Sequence, residues 1–265
     1  MRRSADPRRN KLRRGVYLLP SLLTMGNMFC GYACVVYAMR GEYETAAPFI
    51  GFAVVLDMLD GRIASLTNTT SEFGVEFDSM ADIISFGIAP AILSFAWGLQ
   101  ALGRLGWAAG FMFVAAAAMR LARFNIQSGS GGDKRYFVGM PSPAAAAIPA
   151  ATVFAFPSGL YDYRAALPAL AMVLVPAALM VSTIRFRSFK TFDSKGRRPY
   201  TVLIFLAAGI VAIATHPQWT LVAIAYSYLA SAFIGMAVTR FGRQRGTPPA
   251  TDAEHADDHR DTAAR

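Results

Sequence analysis

Long apolar runs along this chain alternate with short polar or basic connections. Eight such runs stand out, at about 16–39, 45–66, 73–98, 101–126, 139–157, 164–184, 199–215 and 218–240. Most approach the roughly 20 apolar residues that a bilayer-spanning helix needs. The pattern therefore predicts an all-α, polytopic membrane bundle of about eight transmembrane helices.

Composition agrees, since 54% of the 265 residues are hydrophobic and the mean hydropathy is +0.36. A soluble domain of this length does not carry that load. The net charge of +9 raises nucleic acid as a partner, but its distribution argues for a membrane. Arg2 to Arg14, Lys134, Arg135, the run Arg185 to Arg198 and Arg240 to Arg245 all fall on one side of an eight-span topology. Cytoplasmic loops concentrate Lys and Arg in this way, so both termini are expected in the cytoplasm and no nucleic acid is expected. Residues 1–15 read as a basic cytoplasmic segment able to lie against anionic headgroups. Residues 16–240 read as the membrane domain. Residues 241–265 read as a polar tail too poor in apolar residues to fold. A signal peptide is not expected: the first apolar run is long, contains Pro20, Gly26 and Asn27, and lacks a small-residue cleavage site. Cys30 and Cys34, four apart in an apolar run, read as packing residues rather than a disulfide or a metal site.

One stretch breaks the apolar pattern. Asp57 and Asp60 are three apart in the second run, and Asp78 and Asp82 are four apart in the third. Each spacing puts its pair on one helical face. A short connection makes the two helices antiparallel neighbours. One charged Asp at mid-membrane costs roughly 2.5–3.5 kcal/mol, so four need partners. Asp57 falls about 13 Å from the cytoplasmic end of its helix at 1.5 Å per residue, which points to a cavity open to that side. Oxygen ligands without His or Cys suit a hard ion, Mg2+ or Mn2+. Two carboxylate pairs suit two ions, as used for displacement at phosphorus. Intramembrane acids also form cation or proton relays, and carboxylates can cap helices or pair with Arg62. Gly61 beside Asp60, and Gly74 one turn before Asp78, leave room for a ligand.

Residues 57–82 resemble the signature of the CDP-alcohol phosphatidyltransferases, D-x2-D-G-x2-A-R-x8-G-x3-D-x3-D. Asp57, Asp60, Gly61, Ala64, Gly74, Asp78 and Asp82 match, and Ser65 stands where the family usually has Arg. The stretches LPSLLTMGNMFCGY at 19–32, FDSMADIISFGIAPA at 77–91, RLARFN at 120–125, KRYFVGMPSPAAA at 134–146 and IRFRSFK at 184–190 are similar to the branch that uses serine. The resemblance implies transfer of a phosphatidyl group from CDP-diacylglycerol to the hydroxyl of L-serine, releasing CMP and forming phosphatidylserine. It implies that Asp57 bridges two ions, that Asp60 and Asp78 complete the site, and that Asp82 contacts a metal and acts as general base. It also implies that Gly61 and Ser71 contact the CDP-diacylglycerol headgroup. Ser65 is expected at the nucleotide diphosphate, with Arg62 supplying the missing charge. By analogy with relatives, a homodimer among membrane lipids is expected.

The chemistry agrees with these roles. An unactivated alcohol profits from a base, and Asp82 lies one turn past Asp78. No Ser–His or Cys–His pair is near, so a single displacement is expected. Arg120, Arg123 and Asn125 are the candidates to hold serine, since Arg suits planar bidentate carboxylate binding. Lys134 and Arg135 are weaker candidates, and SPAAAAIPAA reads as a packed, kinked helix. Glycerol 3-phosphate or inositol phosphate as acceptor would need more cationic ligands. A cation or proton transporter, or a non-catalytic scaffold, are the more distant readings.

Overall fold

The structure is a computed structural model, and it describes residues 7–67, 71–129, 136–182, 185–187 and 199–243. Helices occupy each of the eight predicted segments. In order they are α1 (Pro7–Met39), α2 (Tyr43–Thr67), α3 (Glu72–Asp82) running through a π-helical stretch (Ile83–Ile88) into α4 (Ala89–Trp97), α5 (Arg104–Gly129), α6 (Ser142–Ala155), α7 (Tyr163–Val181), α8 (Pro199–Thr215) and α9 (Pro217–Arg243). A short 3-10 turn, Leu99–Leu102, joins α4 to α5.

Two details differ from the sequence reading. First, α1 begins at Pro7 rather than near residue 16. Proline is pre-set for a first helical position, and the Arg, Lys and Leu that follow propagate a helix well. Second, two connections of this otherwise all-α fold pair as a short ribbon. Strand β1 (Tyr136–Val138) pairs antiparallel with β2 (Arg185–Arg187), Phe137 opposite Phe186. Backbone pairing lets these two connections satisfy each other's polar groups where no helix can.

Among the described residues, four helical rods are long and apolar enough to cross a membrane: Pro20–Met39, Glu72–Trp97, Arg104–Gln127 and Tyr163–Val181. Helix α2 is 25 residues long but carries Glu44, Asp57, Asp60 and Arg62. Helix α6 has 14 residues, about 21 Å at 1.5 Å per residue, short of a roughly 30 Å hydrocarbon core.

Packing is inverted relative to a soluble protein. The buried stripe of α1 runs Thr24, Asn27, Gly31, Cys34 and Ala38, at alternating spacings of three and four. Helix α2 buries Ala46, Ala47, Ile50 and Ala53, and among the described elements α1 and α2 make the most extensive contact. Small residues let the backbones approach, which is how helices associate where lipid removes the hydrophobic drive. Leu22, Met25, Phe29 and Tyr32 point outward from the same helix. Both cysteines are free and buried in this seam.

The helices bring two sets of loops to opposite ends. At one end the Tyr43 hydroxyl donates to the Ala96 carbonyl at 2.7 Å, and the Trp97 indole donates to the Phe156 carbonyl at 2.8 Å. The β1–β2 ribbon, the C-terminus of α2, the N-terminus of α3 and the C-terminus of α5 mark the other end. The aspartates lie toward that second end.

Candidate active site

Helices α2 and α3 supply the acids, and their spacing alone fixes which share a face. One carboxylate oxygen from each of Asp57, Asp78 and Asp82 lies within 4.8 Å of the others. Three anions at that separation repel by about 3.5 kcal/mol per pair at an effective dielectric of 20. Asp78 Oδ1 is buried and has no hydrogen-bond partner. Gathered charge and an orphaned acceptor together describe a cradle for a cation. The dimensions fit, since oxygens on opposite sides of a Mg2+ stand about 4 Å apart.

Asp60 is placed differently from that trio. It is buried, 6% exposed, and its Oδ2 accepts a hydrogen bond from the Thr24 hydroxyl of α1. It remains near enough to Asp57 and Asp78 to interact with both charges. No described residue bonds its other oxygen.

Helix α1 contributes two side chains that the sequence reading left out of the site. Besides Thr24, the Asn27 amide Nδ2 donates to Asp82 Oδ1 at 3.3 Å. Ser85, in the π-helical stretch, donates to the Asn27 carbonyl at 2.8 Å. This docking needs Gly31, where a Cβ would stand 2.8 Å from the Ser85 Cα. The available signal was polar Thr24 and Asn27 sitting on a stripe of otherwise small residues.

The candidate lipid-headgroup residues separate. Gly61 has open space where a Cβ would be, and Arg62 and Ser65 are exposed. Ser71 is the N-cap of α3, its hydroxyl accepting the Gly74 N–H at 3.0 Å. Gly74 is matched to that cap, because a Cβ there would come within 3.1 Å of the Ser71 oxygen.

The candidate serine ligands separate as well. Arg120 Nη1 donates to the Ser142 hydroxyl of α6 at 2.8 Å, and its guanidinium stands over the Phe124 ring at 5.6 Å. It is close enough to interact with the charges of Asp57 and Asp82. It also interacts with Tyr228 of α9. Arg123 donates instead to the Val181 and Ser182 carbonyls, at 3.2 and 3.4 Å, closing the C-terminus of α7. Asn125 Nδ2 donates to Ser79 Oγ at 2.9 Å, tying α5 to α3. Lys134 and Arg135 lie outside the described residues, as does the tail from 244 onward.

Helical rods long and apolar enough to cross a membrane, with three carboxylates converging beside an arginine, make a site that could hold a hard cation. The family follows from comparison: a model described as CDP-alcohol phosphatidyltransferase matches residues 17–184, and the chain belongs to that family. Among curated relatives, the CDP-diacylglycerol–serine O-phosphatidyltransferase of Helicobacter pylori (strain ATCC 700392 / 26695) is 38% identical over 197 residues, 72% of this chain and 81% of the relative. The protein of the same name from Mycobacterium leprae is 38% identical over 52% of this chain and 48% of its own length. An archaetidylserine synthase from Methanothermobacter thermautotrophicus is 33% identical over 63% of this chain and 69% of its own length.

Proposed function

We propose that this chain transfers the phosphatidyl group of CDP-diacylglycerol to the hydroxyl of L-serine, releasing CMP. The observation that carries this is the convergence of Asp57, Asp78 and Asp82 beside Arg120 in a chain of this family. Serine as acceptor is supported by the relatives' names, which keep serine even where the lipid is named archaetidyl.

Asp57, Asp78 and Asp82 would hold Mg2+ or Mn2+, with Asp60 completing a two-ion set. Divalent ions when bound would neutralise the pyrophosphate and the departing CMP phosphate. Asp82 takes the proton of the serine hydroxyl as its oxygen bonds to the β-phosphorus and the bond to CMP breaks. Arg120 holds the serine carboxylate through donors that Ser142 leaves unused. Arg123 and Asn125 act by bracing α7 and α3. Gly61 admits the CDP-diacylglycerol headgroup, with Arg62, Ser65 and Ser71 around it. Eight helices in the membrane domain, both termini and the site toward the cytoplasm, and a homodimer complete the proposal.

Purified protein would be incubated with CDP-diacylglycerol, Mn2+ or Mg2+, and a panel of alcohols, following CMP. CMP release with serine, lost in Asp82→Asn, is expected. No CMP with any alcohol sinks the enzyme reading. CMP with glycerol 3-phosphate but not serine sinks the acceptor assignment.

A further inference from the structure

Asn27 is fully buried, and two contacts determine how it sits. Its main-chain carbonyl receives the Ser85 hydroxyl. Its side chain donates to Asp82 Oδ1. Its own Oδ1 is buried without a partner. Turning the amide over would place an oxygen against the Asp82 carboxylate, acceptor against acceptor, so the donor must face Asp82. An orphaned buried acceptor is unfavourable, and a hydrophobic residue would avoid it. The donor toward Asp82 is what Asn27 provides. A neutral amide can hold a carboxylate in place without competing for the cation, as a Lys or Arg there would.

The surrounding backbone reinforces this. Gly31 allows α1 to close on Ser85, and Ser85 follows Asp82 by three residues in the same rod. Asn27 is thus bonded to that rod on both sides of a single turn. Asp82 cannot rotate away from the cluster without breaking that tie. Partners that orient metal-binding carboxylates typically cost about 10–100-fold in metal affinity or activity when removed.

We propose that Asn27 is a positioning residue for Asp82, and that through it helix α1 sets the affinity of the carboxylate cluster for its divalent cation. This rests on the reading that Asp82 belongs to a metal-holding cluster. The test uses the full chain in detergent, with Asn27→Leu, which keeps the number of side-chain heavy atoms and removes the donor, and Asn27→Ser, which stays polar but is too short. Mn2+ binding is titrated by the loss of the free Mn2+ resonance signal, without substrate. Either variant that remains monodisperse should bind Mn2+ about tenfold more weakly. Its kcat should fall at least as far, with KM for CDP-diacylglycerol and serine kept within about twofold. In an Asp82→Asn background the Asn27 substitution should add nothing to the loss of Mn2+ affinity, because the carboxylate that it positions is gone.

Unchanged Mn2+ binding overturns the proposal. So does a raised KM with kcat kept, which would make Asn27 a substrate contact. An equal loss in the Asp82→Asn background would make its role general to the fold. If the parent chain releases no CMP with any alcohol, the functional reading fails, while the substrate-free titration still decides the role of Asn27.

Discussion

Replacing Asp78 by asparagine removes one charge and almost no volume, and its effect on stability should change sign with metal. Asp78 has two anionic neighbours, Asp57 and Asp82, with oxygens within 4.8 Å, and also feels the Asp60 charge. At 4.8 Å and an effective dielectric of 20 each close pair repels by about 3.5 kcal/mol, so about 7 kcal/mol for the two before any compensation. Arg120 and water at this half-buried site lower this to about 1–3 kcal/mol. The orphaned Asp78 Oδ1 is also cheaper to bury on a neutral amide than on a carboxylate. In chelator, Asp78→Asn should therefore unfold about 2–8 °C above the parent. In Mn2+ at about 100 times Kd the parent gains about 2.7 kcal/mol by mass action, and the variant, short of one ligand, should gain little. The two orders of stability should cross. Scanning fluorimetry in detergent, with EDTA and then with Mn2+, reads both. A variant less stable than the parent in EDTA, or with an undiminished Mn2+ shift, would refute the picture of three repelling ligands around a cation.

Arg120→Ala should act mainly on serine, raising its KM at least about tenfold, with a smaller loss of melting temperature from the Ser142 bond and the cation beside the carboxylates. Arg123→Ala should do the reverse, lowering the melting temperature by freeing the Val181 and Ser182 carbonyls while the KM for serine holds; steady-state kinetics beside thermal melts separate them. Gly31→Ala should cost about 1–3 kcal/mol through overpacking, and Ser85→Gly should not rescue it, because the Cβ meets the Ser85 main chain as well as its side chain. Ser71→Ala should cost about 1 kcal/mol as a lost N-cap, whereas Ser71→Asp should keep most of it; equal loss in both would show that the hydroxyl matters for something other than capping.

Several features of this fold were legible in order along the chain. Apolar runs located the helices, because a backbone in lipid must satisfy its own hydrogen bonds. The three- and four-residue spacings put Asp57 with Asp60 and Asp78 with Asp82, because helical geometry is local. The β1–β2 ribbon was not legible, since Tyr136–Val138 and Arg185–Arg187 meet only once α5 and α7 have packed side by side. Nor was the choice between two neighbouring arginines. Arg120 and Arg123 are three apart on one helix, yet one turns to Ser142 and the other to the end of α7.

The sequence by itself determined the helical segments, the family signature and the type of chemistry that four aspartates in an apolar setting allow. Only the tertiary structure decided that Asp57, Asp78 and Asp82 converge while Asp60 takes the Thr24 hydroxyl, and that Asn27 holds Asp82. The reason is rotational. Spacing along a helix says which residues share a face, but the direction of that face depends on how the helix is turned against its neighbours. Here that turn is set by close contacts between small residues, Gly31 against Ser85 above all, and those contacts exist only after the helices have packed.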